Sequence, residues 1–254
     1  MLYQFLLEWI FLKLFITKPI KVMKNHHEKR FPGETVGYRG ARNRLLEAEI
    51  ELRKKIEEVA ALRRKLPFGG KLKEDYVFEE MDRRAGEIKK IKFSELFKPG
   101  KDTLVVYSYM YALNVEKPCT SCTSIMDGIN GMVFHVNNRM NFVMVAKSPI
   151  QKVMNWANGR NWNNLRILSS EKNSYNTDYF SENEKGSQYP ALNVFRRTPD
   201  GIFHFYSTEL LYIKPEPGQD GRHVDMIWPL WNIFDYTPEG RGTDWYPKYD
   251  YDDN

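Results

Sequence analysis

The chain has 254 residues, 42% hydrophobic and 28% charged, so it can bury a core and is neither disordered, collagen-like nor a polytopic membrane protein. Its 38 Lys+Arg against 33 Asp+Glu leave a formal charge of +5, a mild excess that gives no argument for nucleic acid or another polyanion. Two cysteines are not a structural staple set, and a core of this size needs none.

Leu2 to Ile16 is rich in Leu, Phe, Ile and Trp but is short for a spanning helix and carries Gln4, Glu8 and Lys13. It has neither the basic start nor the small-residue cleavage site of a secretory peptide. Three readings stand: an interfacial anchor, a helix docked on a partner or on the body, or an extension upstream of a natural start at Met23. The polar lead-in Lys24 to Gly40 favours the last, and no stable membrane insertion is expected. Residues 1–25 are therefore set apart as an apolar N-terminal extension, 26–70 as a helical arm and 71–254 as the main domain.

Ala41 to Leu66 contains no Gly or Pro and many strong helix formers, which predicts a long helix closed by Pro67, Gly69 and Gly70. Leu45, Leu52, Val59 and Leu66 recur every seven residues, as in a coiled-coil arm that would make a homodimer. The intervening heptad places hold Arg42, Glu49 and Arg63 rather than a second apolar row, which favours an amphipathic helix packed on its own domain. Tyr76 to Phe78 and Ile88 to Phe93 read as short strands around a turn near Gly86, followed by a helical turn at Ser94 to Phe97.

Thr103 to Tyr111 (TLVVYSYMY) is a continuous β-branched and aromatic run, expected as a central strand buried on both faces. After a loop come Pro118-Cys119-Thr120-Ser121-Cys122 and an apolar spacing through Ile125, Ile129 and Val133 that predicts a helix. Asn141 to Ala146 is a second buried strand, Pro149 to Trp156 a helix and Leu165 to Leu168 a third strand, a β-α-β-α-β run suited to parallel pairing. Farther on, ALNVFRR and GIFHFYST flank Pro199-Asp200-Gly201, a strong hairpin signal. The tail from Glu209, rich in Pro, Gly, Trp and Asp, reads as loops and a short helix closing over the sheet.

Cys119 and Cys122 carry the chemistry. A thiolate at the first turn of a helix meets unpaired N–H groups and the positive end of the dipole, which favours the ionised nucleophile. Three residues on, Cys122 lies on the same helix face and can attack a mixed disulfide formed at Cys119. Thr120 and Ser121, between them, and Pro190, directly before a strand, are candidate substrate contacts; a proline in that place is a common site for a cis peptide bond.

The order TLVVYSYMY, PCTSC and YPALNVFRRTPDGI resembles the thioredoxin-like fold, with the proline before the antiparallel hairpin. EAEIELRKKIEEVAALRRKLP, EDYVFE, LRILSSEKNSYNTDY, PGQDGRHVD and WPLWNIFDYTPEGRG narrow it: over about residues 28–250 the chain resembles a bacterial family of unknown function described as predicted dithiol-disulfide oxidoreductases. The resemblance implies an α/β fold with a thioredoxin-like central mixed sheet flanked by helices, preceded by the long helix and followed by an extended C-terminal tail. It implies Cys119 as nucleophilic cysteine, Cys122 as resolving cysteine and Pro190 as the substrate-side proline. The expected function is thiol-disulfide exchange with a protein or small-molecule partner, in the cytoplasm, without a cofactor.

Two alternatives stand beside it: a peroxiredoxin-like thiol peroxidase, and a non-catalytic binding protein on the same scaffold. The peroxidase signature, a Thr three residues before the reactive cysteine, is not met, since Cys119 occupies that place relative to Cys122. Structural zinc is not expected, because a second Cys-x-x-Cys is absent. A copper-handling site would draw a distant histidine from His135, His204 or His223. Trp228, Trp231 and Trp245 are candidates for an apolar wall near the cysteines, core packing being the commoner fate of such residues. Pro217 to Asp225 is a polar stretch with two readings, a substrate loop or a surface turn tied by its own Asp side chains, and the surface turn is the favoured one. Phosphate-loop, dinucleotide and Ser-His-Asp motifs are not found.

Overall fold

The computed structural model describes residues 25–219, 226–242 and 244–251, so the apolar run before Met23 and most of the Pro217 to Asp225 turn, with His223, lie outside the described residues. The chain divides into two units between Lys65 and Leu66.

The first unit is dominated by helix α1 (Val36–Arg64), 29 residues long. Thr35 caps its start, the hydroxyl accepting from the Tyr38 N–H at 3.1 Å, and Arg63 and Arg64 sit at the negative end of its dipole. The helix starts five residues before the expected Ala41 because this cap, rather than the first apolar repeat, sets its beginning. Leu45, Leu52 and Ile56, expected to be packed, are exposed.

The second unit is built on a seven-stranded sheet: β1 (Val77–Met81), β2 (Ile88–Lys92), β3 (Thr103–Tyr109), β4 (Asn141–Ala146), β5 (Ile167–Ser169), β6 (Ala191–Thr198) and β7 (Gly201–Ser207). Their order across the sheet is β2-β1-β5-β4-β3-β6-β7. β3, β4 and β5 pair in parallel, and every other neighbour is antiparallel. Helices α2 (Thr120–Arg139) and α3 (Ile150–Gly159) make the two crossovers. Both crossovers step the same way across the sheet, and right-handed connections then put both helices on one face. The other face is covered by a 3-10 turn (Phe93–Leu96) and the one-turn helix α4 (Tyr175–Asp178). The run β3-α2-β4, with β6 and β7 antiparallel on the other side of β3, is the thioredoxin-like arrangement.

Strand alternation divides the core in two. Tyr107, Tyr109, Phe142, Met144, Ala146 and Ile167 face α2 and α3, whereas Leu104, Val106, Val143, Val145, Leu168 and Phe195 face the aromatic cluster of Tyr76, Phe78, Phe93 and Tyr175. All six residues of β4 are buried, which is why that stretch is uniformly apolar after Asn141. In the tail, α5 (Leu230–Phe234) delivers Trp231, and Trp228 just before it, into the helix-side core. Among the described residues, no helix is long and apolar enough to cross a membrane.

Candidate functional site

The cysteine pair sits where β3 hands over to α2. The Cys119 N–H donates to the Met110 carbonyl at 3.0 Å, drawing the end of the intervening loop back to the edge of the sheet. Lys152 of α3 pins that loop from the other side, its ammonium donating to the carbonyls of Ala112 (3.2 Å) and Leu113 (3.0 Å) and lying 4.5 Å over the Tyr111 ring. Cys119 is then the N-cap of α2, with an extended backbone (φ −66°, ψ 128°), and its sulfur accepts the Cys122 N–H at 3.4 Å. Its carbonyl accepts twice from Thr123, from the backbone N–H at 3.0 Å and from the hydroxyl at 2.8 Å.

The two cysteines differ in access: Cys119 is half-buried, whereas Cys122 is buried. Behind Cys122, the Tyr107 hydroxyl donates to its sulfur at 3.3 Å. One pleat further along β3, the Tyr109 hydroxyl and the Thr123 hydroxyl are 2.7 Å apart. Burial pushes the Tyr109 phenol well above its ordinary range, the Thr123 hydrogen bond opposes this, and the neighbouring Cys122 and Cys119 add to the rise. The Tyr109 phenol is therefore a fixed hydrogen-bonding group rather than an acid at neutral pH.

The C-terminal tail completes the surroundings. Tyr249 donates from its hydroxyl to the carbonyl of Pro118, the residue before Cys119. Its ring stands edge-on to Trp156 with centroids 5.0 Å apart, and Arg160 holds its carbonyl at 2.6 Å. The Tyr249 phenol is pushed upward by burial first, then by Cys119 and Tyr111. Trp228 donates from its indole to Ser124 Oγ at 3.1 Å, two residues past Cys122.

Of the residues expected from the sequence, Thr120 and Ser121 are half-buried in the first turn of α2, directly after Cys119. Pro190 is half-buried and precedes a ladder that begins at Ala191 opposite Ser108. It thus lies at the carboxyl end of β3, the end from which the chain runs to Cys119. Its peptide bond is trans, contrary to expectation, since no cis bond occurs among the described residues. A strand can be entered from a trans proline wherever the preceding residue is extended, so position alone does not dictate the isomer. Trp228 and Trp231 are core residues, 1% and 0% exposed, rather than walls of an open cavity, while Trp245 is partly exposed and packs on Trp231 at 5.8 Å.

Among the described residues, His204 and His135 do not join the thiols. His204 belongs to β7 and packs on Phe195 and Tyr179 on the opposite face of the sheet, and burial lowers its pKa. His135 lies sixteen residues beyond Cys119 on α2, about 24 Å along the helix axis. Among the described residues, no group of three His, Cys, Asp or Glu side chains is placed to hold a metal ion.

Tyr107, Tyr249 and Lys152 were not singled out by sequence reasoning. The alternation in Tyr107-Ser108-Tyr109 held a signal for the first: two hydroxyls on one face of the strand that leads into the cysteines. Nothing local distinguishes Tyr249, which is 130 residues from Cys119 and one of several aromatic residues in the tail.

Fold and site together define a thioredoxin-like domain presenting a Cys-x-x-Cys pair at a helix N-terminus. The chain belongs to the family of bacterial proteins of unknown function, DUF899, whose model matches residues 29–252. No curated protein matches it. Among solved structures it is similar to Plasmodium yoelii thioredoxin peroxidase I, at 15% identity and a TM-score of 0.43 over 67% of this chain and 91% of that one. It is also similar to AhpC of Enterococcus faecalis, at 13% identity and a TM-score of 0.41 over 66% of this chain and 94% of that one. A third is the exposed lipoprotein thioredoxin of Streptococcus pneumoniae, at 16% identity and a TM-score of 0.34 over 57% of this chain and 92% of that one. These likenesses are distant.

Proposed function

We propose that this protein is a thiol-disulfide oxidoreductase in which Cys119 attacks and Cys122 resolves. The carrying observation is the asymmetry of the pair: a half-buried sulfur capping a 20-residue helix, backed by a buried one that receives a phenol O–H. The helix N-terminus and the Cys122 N–H favour the Cys119 thiolate. That thiolate attacks one sulfur of a partner disulfide, forming a mixed disulfide and expelling the other sulfur as a thiolate that takes a proton from water. Cys122, once deprotonated, attacks Cys119 Sγ; the Cys119–Cys122 bond forms and the second partner thiol leaves. The partner gains two electrons, the pair loses them, and an external dithiol must return them before the next turnover. Run backwards, the same steps oxidise a dithiol.

Tyr107 supports the resolving step, because a thiolate in an apolar core is costly unless a donor faces it. Thr120, Ser121 and Pro190 border the attacking sulfur or the same end of β3 and are the proposed partner contacts. A reducing compartment suits a catalytic rather than a structural pair, so the cytoplasm is the proposed location. The reading needs no cofactor.

The test is trapping. With a disulfide-containing substrate such as insulin, Cys122→Ser should accumulate a mixed disulfide at Cys119 that mass spectrometry identifies, while Cys119→Ser should form none. Equal trapping by both variants, or by neither, ends the proposal.

A further inference from the structure

The backbone around Cys119 is held from three directions. Its N–H donates to the Met110 carbonyl at 3.0 Å, its carbonyl accepts the Thr123 N–H and hydroxyl, and the carbonyl just before it, on Pro118, accepts the Tyr249 hydroxyl. The first two holds come from the end of β3 and from α2 itself. The third comes from the tail, 131 residues beyond Pro118.

Tyr249 is in turn fixed by its own neighbours. Its ring stands edge-on to Trp156 at 5.0 Å, the Lys117 ammonium lies 5.7 Å from the ring centroid, and its carbonyl accepts from Arg160 at 2.6 Å, a guanidinium that also pairs with Asp127 at 2.5 Å. Burial first, then Cys119 and Tyr111, push its phenol upward, so it keeps its proton and remains a donor at neutral pH. A bonded Pro118 carbonyl fixes the peptide plane that enters Cys119. With that plane fixed, Cys119 holds φ −66° and ψ 128°, and its sulfur meets the Cys122 N–H at 3.4 Å. A plane free to rotate aims the sulfur less well at this N–H and at the positive end of α2, the two features that favour a thiolate there.

We propose that Tyr249 is a positioning residue for Cys119, its O–H holding the Pro118 carbonyl so that the Cys119 sulfur stays aimed at the first turn of α2. This rests on the reading of Cys119 as the attacking thiol and makes the tail a working part of that site.

The test follows the rate of Cys119 alkylation by iodoacetamide against pH in the full chain, with peptide mass spectrometry separating the Cys119 and Cys122 adducts. Tyr249→Phe keeps the ring and loses the O–H. The charged groups of the elements packed here, Glu116 and Lys117 in the loop, Asp127 on α2, Lys152 and Arg160 on α3 and at its end, and Asp250 in the tail, are unchanged in it, as are the phenols of β3. Its midpoint should lie about half a pH unit above the native one, giving an about threefold lower rate below the midpoint and an unchanged plateau above it. Tyr249→Leu should move the midpoint at least as far. Asp250→Asn, which loosens the tail only at its 3.8 Å pair with Arg160, should not raise it. An unchanged midpoint in either Tyr249 variant, a plateau lowered in the same proportion as the rate below it, or an equal rise in Asp250→Asn overturns the proposal. A native midpoint at the value of a free cysteine counts against the oxidoreductase reading instead, because Tyr249 is judged on the difference between chains alone.

Discussion

Cys119 and Cys122 are chemically identical, and only their neighbours set them apart. Cys122 has the Tyr107 hydroxyl at 3.3 Å, and replacing that tyrosine by phenylalanine removes the donor while keeping the ring. The mixed disulfide on Cys119 of Tyr107→Phe should then resolve about five- to tenfold more slowly with its rate of formation unchanged, as followed by quenched-flow alkylation, and stability should fall by about 1 kcal/mol. A slowed first step instead would mean that Tyr107 acts on Cys119. His204 offers a different test. Burial lowers its pKa on folding below 6.5, so the unfolded chain binds the proton more readily. The stability conferred by the neutral ring is present above that value and is lost as pH falls below it. The urea midpoint of the native chain should therefore drop between pH 7.5 and pH 5.5 by more than that of His204→Gln.

Among the elements, the hairpin shows how local chemistry and packing meet. Pro199-Asp200-Gly201 turns β6 into β7, and Gly201 holds φ 132°, a value open to glycine but not to side-chain-bearing residues. An added Cβ would also lie 2.5 Å from Lys71 Cε. Gly201→Ala should cost about 1–3 kcal/mol in denaturant unfolding, and a neutral result would show that the turn relaxes freely. The strands were legible because each carried its own signal: the unbroken apolar runs of β3 and β4 mark strands covered on both faces, and the alternation of β6 and β7 marks a half-covered pair. The trans bond at Pro190 and the early start of α1 were not, since one depends on the fit of a loop and the other on a capping hydroxyl that outweighs the apolar repeat.

At the scale of the whole molecule, the α1 unit and the sheet unit pose separate questions. Leu45, Leu52 and Ile56 are exposed on a 29-residue helix, an apolar stripe that Arg42 and Glu49, paired at 3.7 Å, interrupt. If that stripe joins two copies, sedimentation equilibrium will give a dimer for the native chain and a monomer for Leu52→Glu; a monomeric native chain removes the idea. In the sheet unit, the tail spends its aromatic residues on the cysteine side. Trp228 and Trp231 fill the core beneath α2, and Tyr249 ties down the carbonyl before Cys119.

Sequence alone determined the β-α-β-α-β order of elements, the long helix, the hairpin and the place of the cysteine pair at a strand-to-helix junction. These follow from periodicity, turn residues and spacing, which act over a few residues. Tertiary structure alone decided that Tyr107 faces Cys122, that Tyr249 reaches Pro118 from the far end of the chain, and that His204 lies across the sheet from the thiols. The reason is that strand order and the side of each crossover fix which distant residues share a face, and no local pattern encodes that pairing.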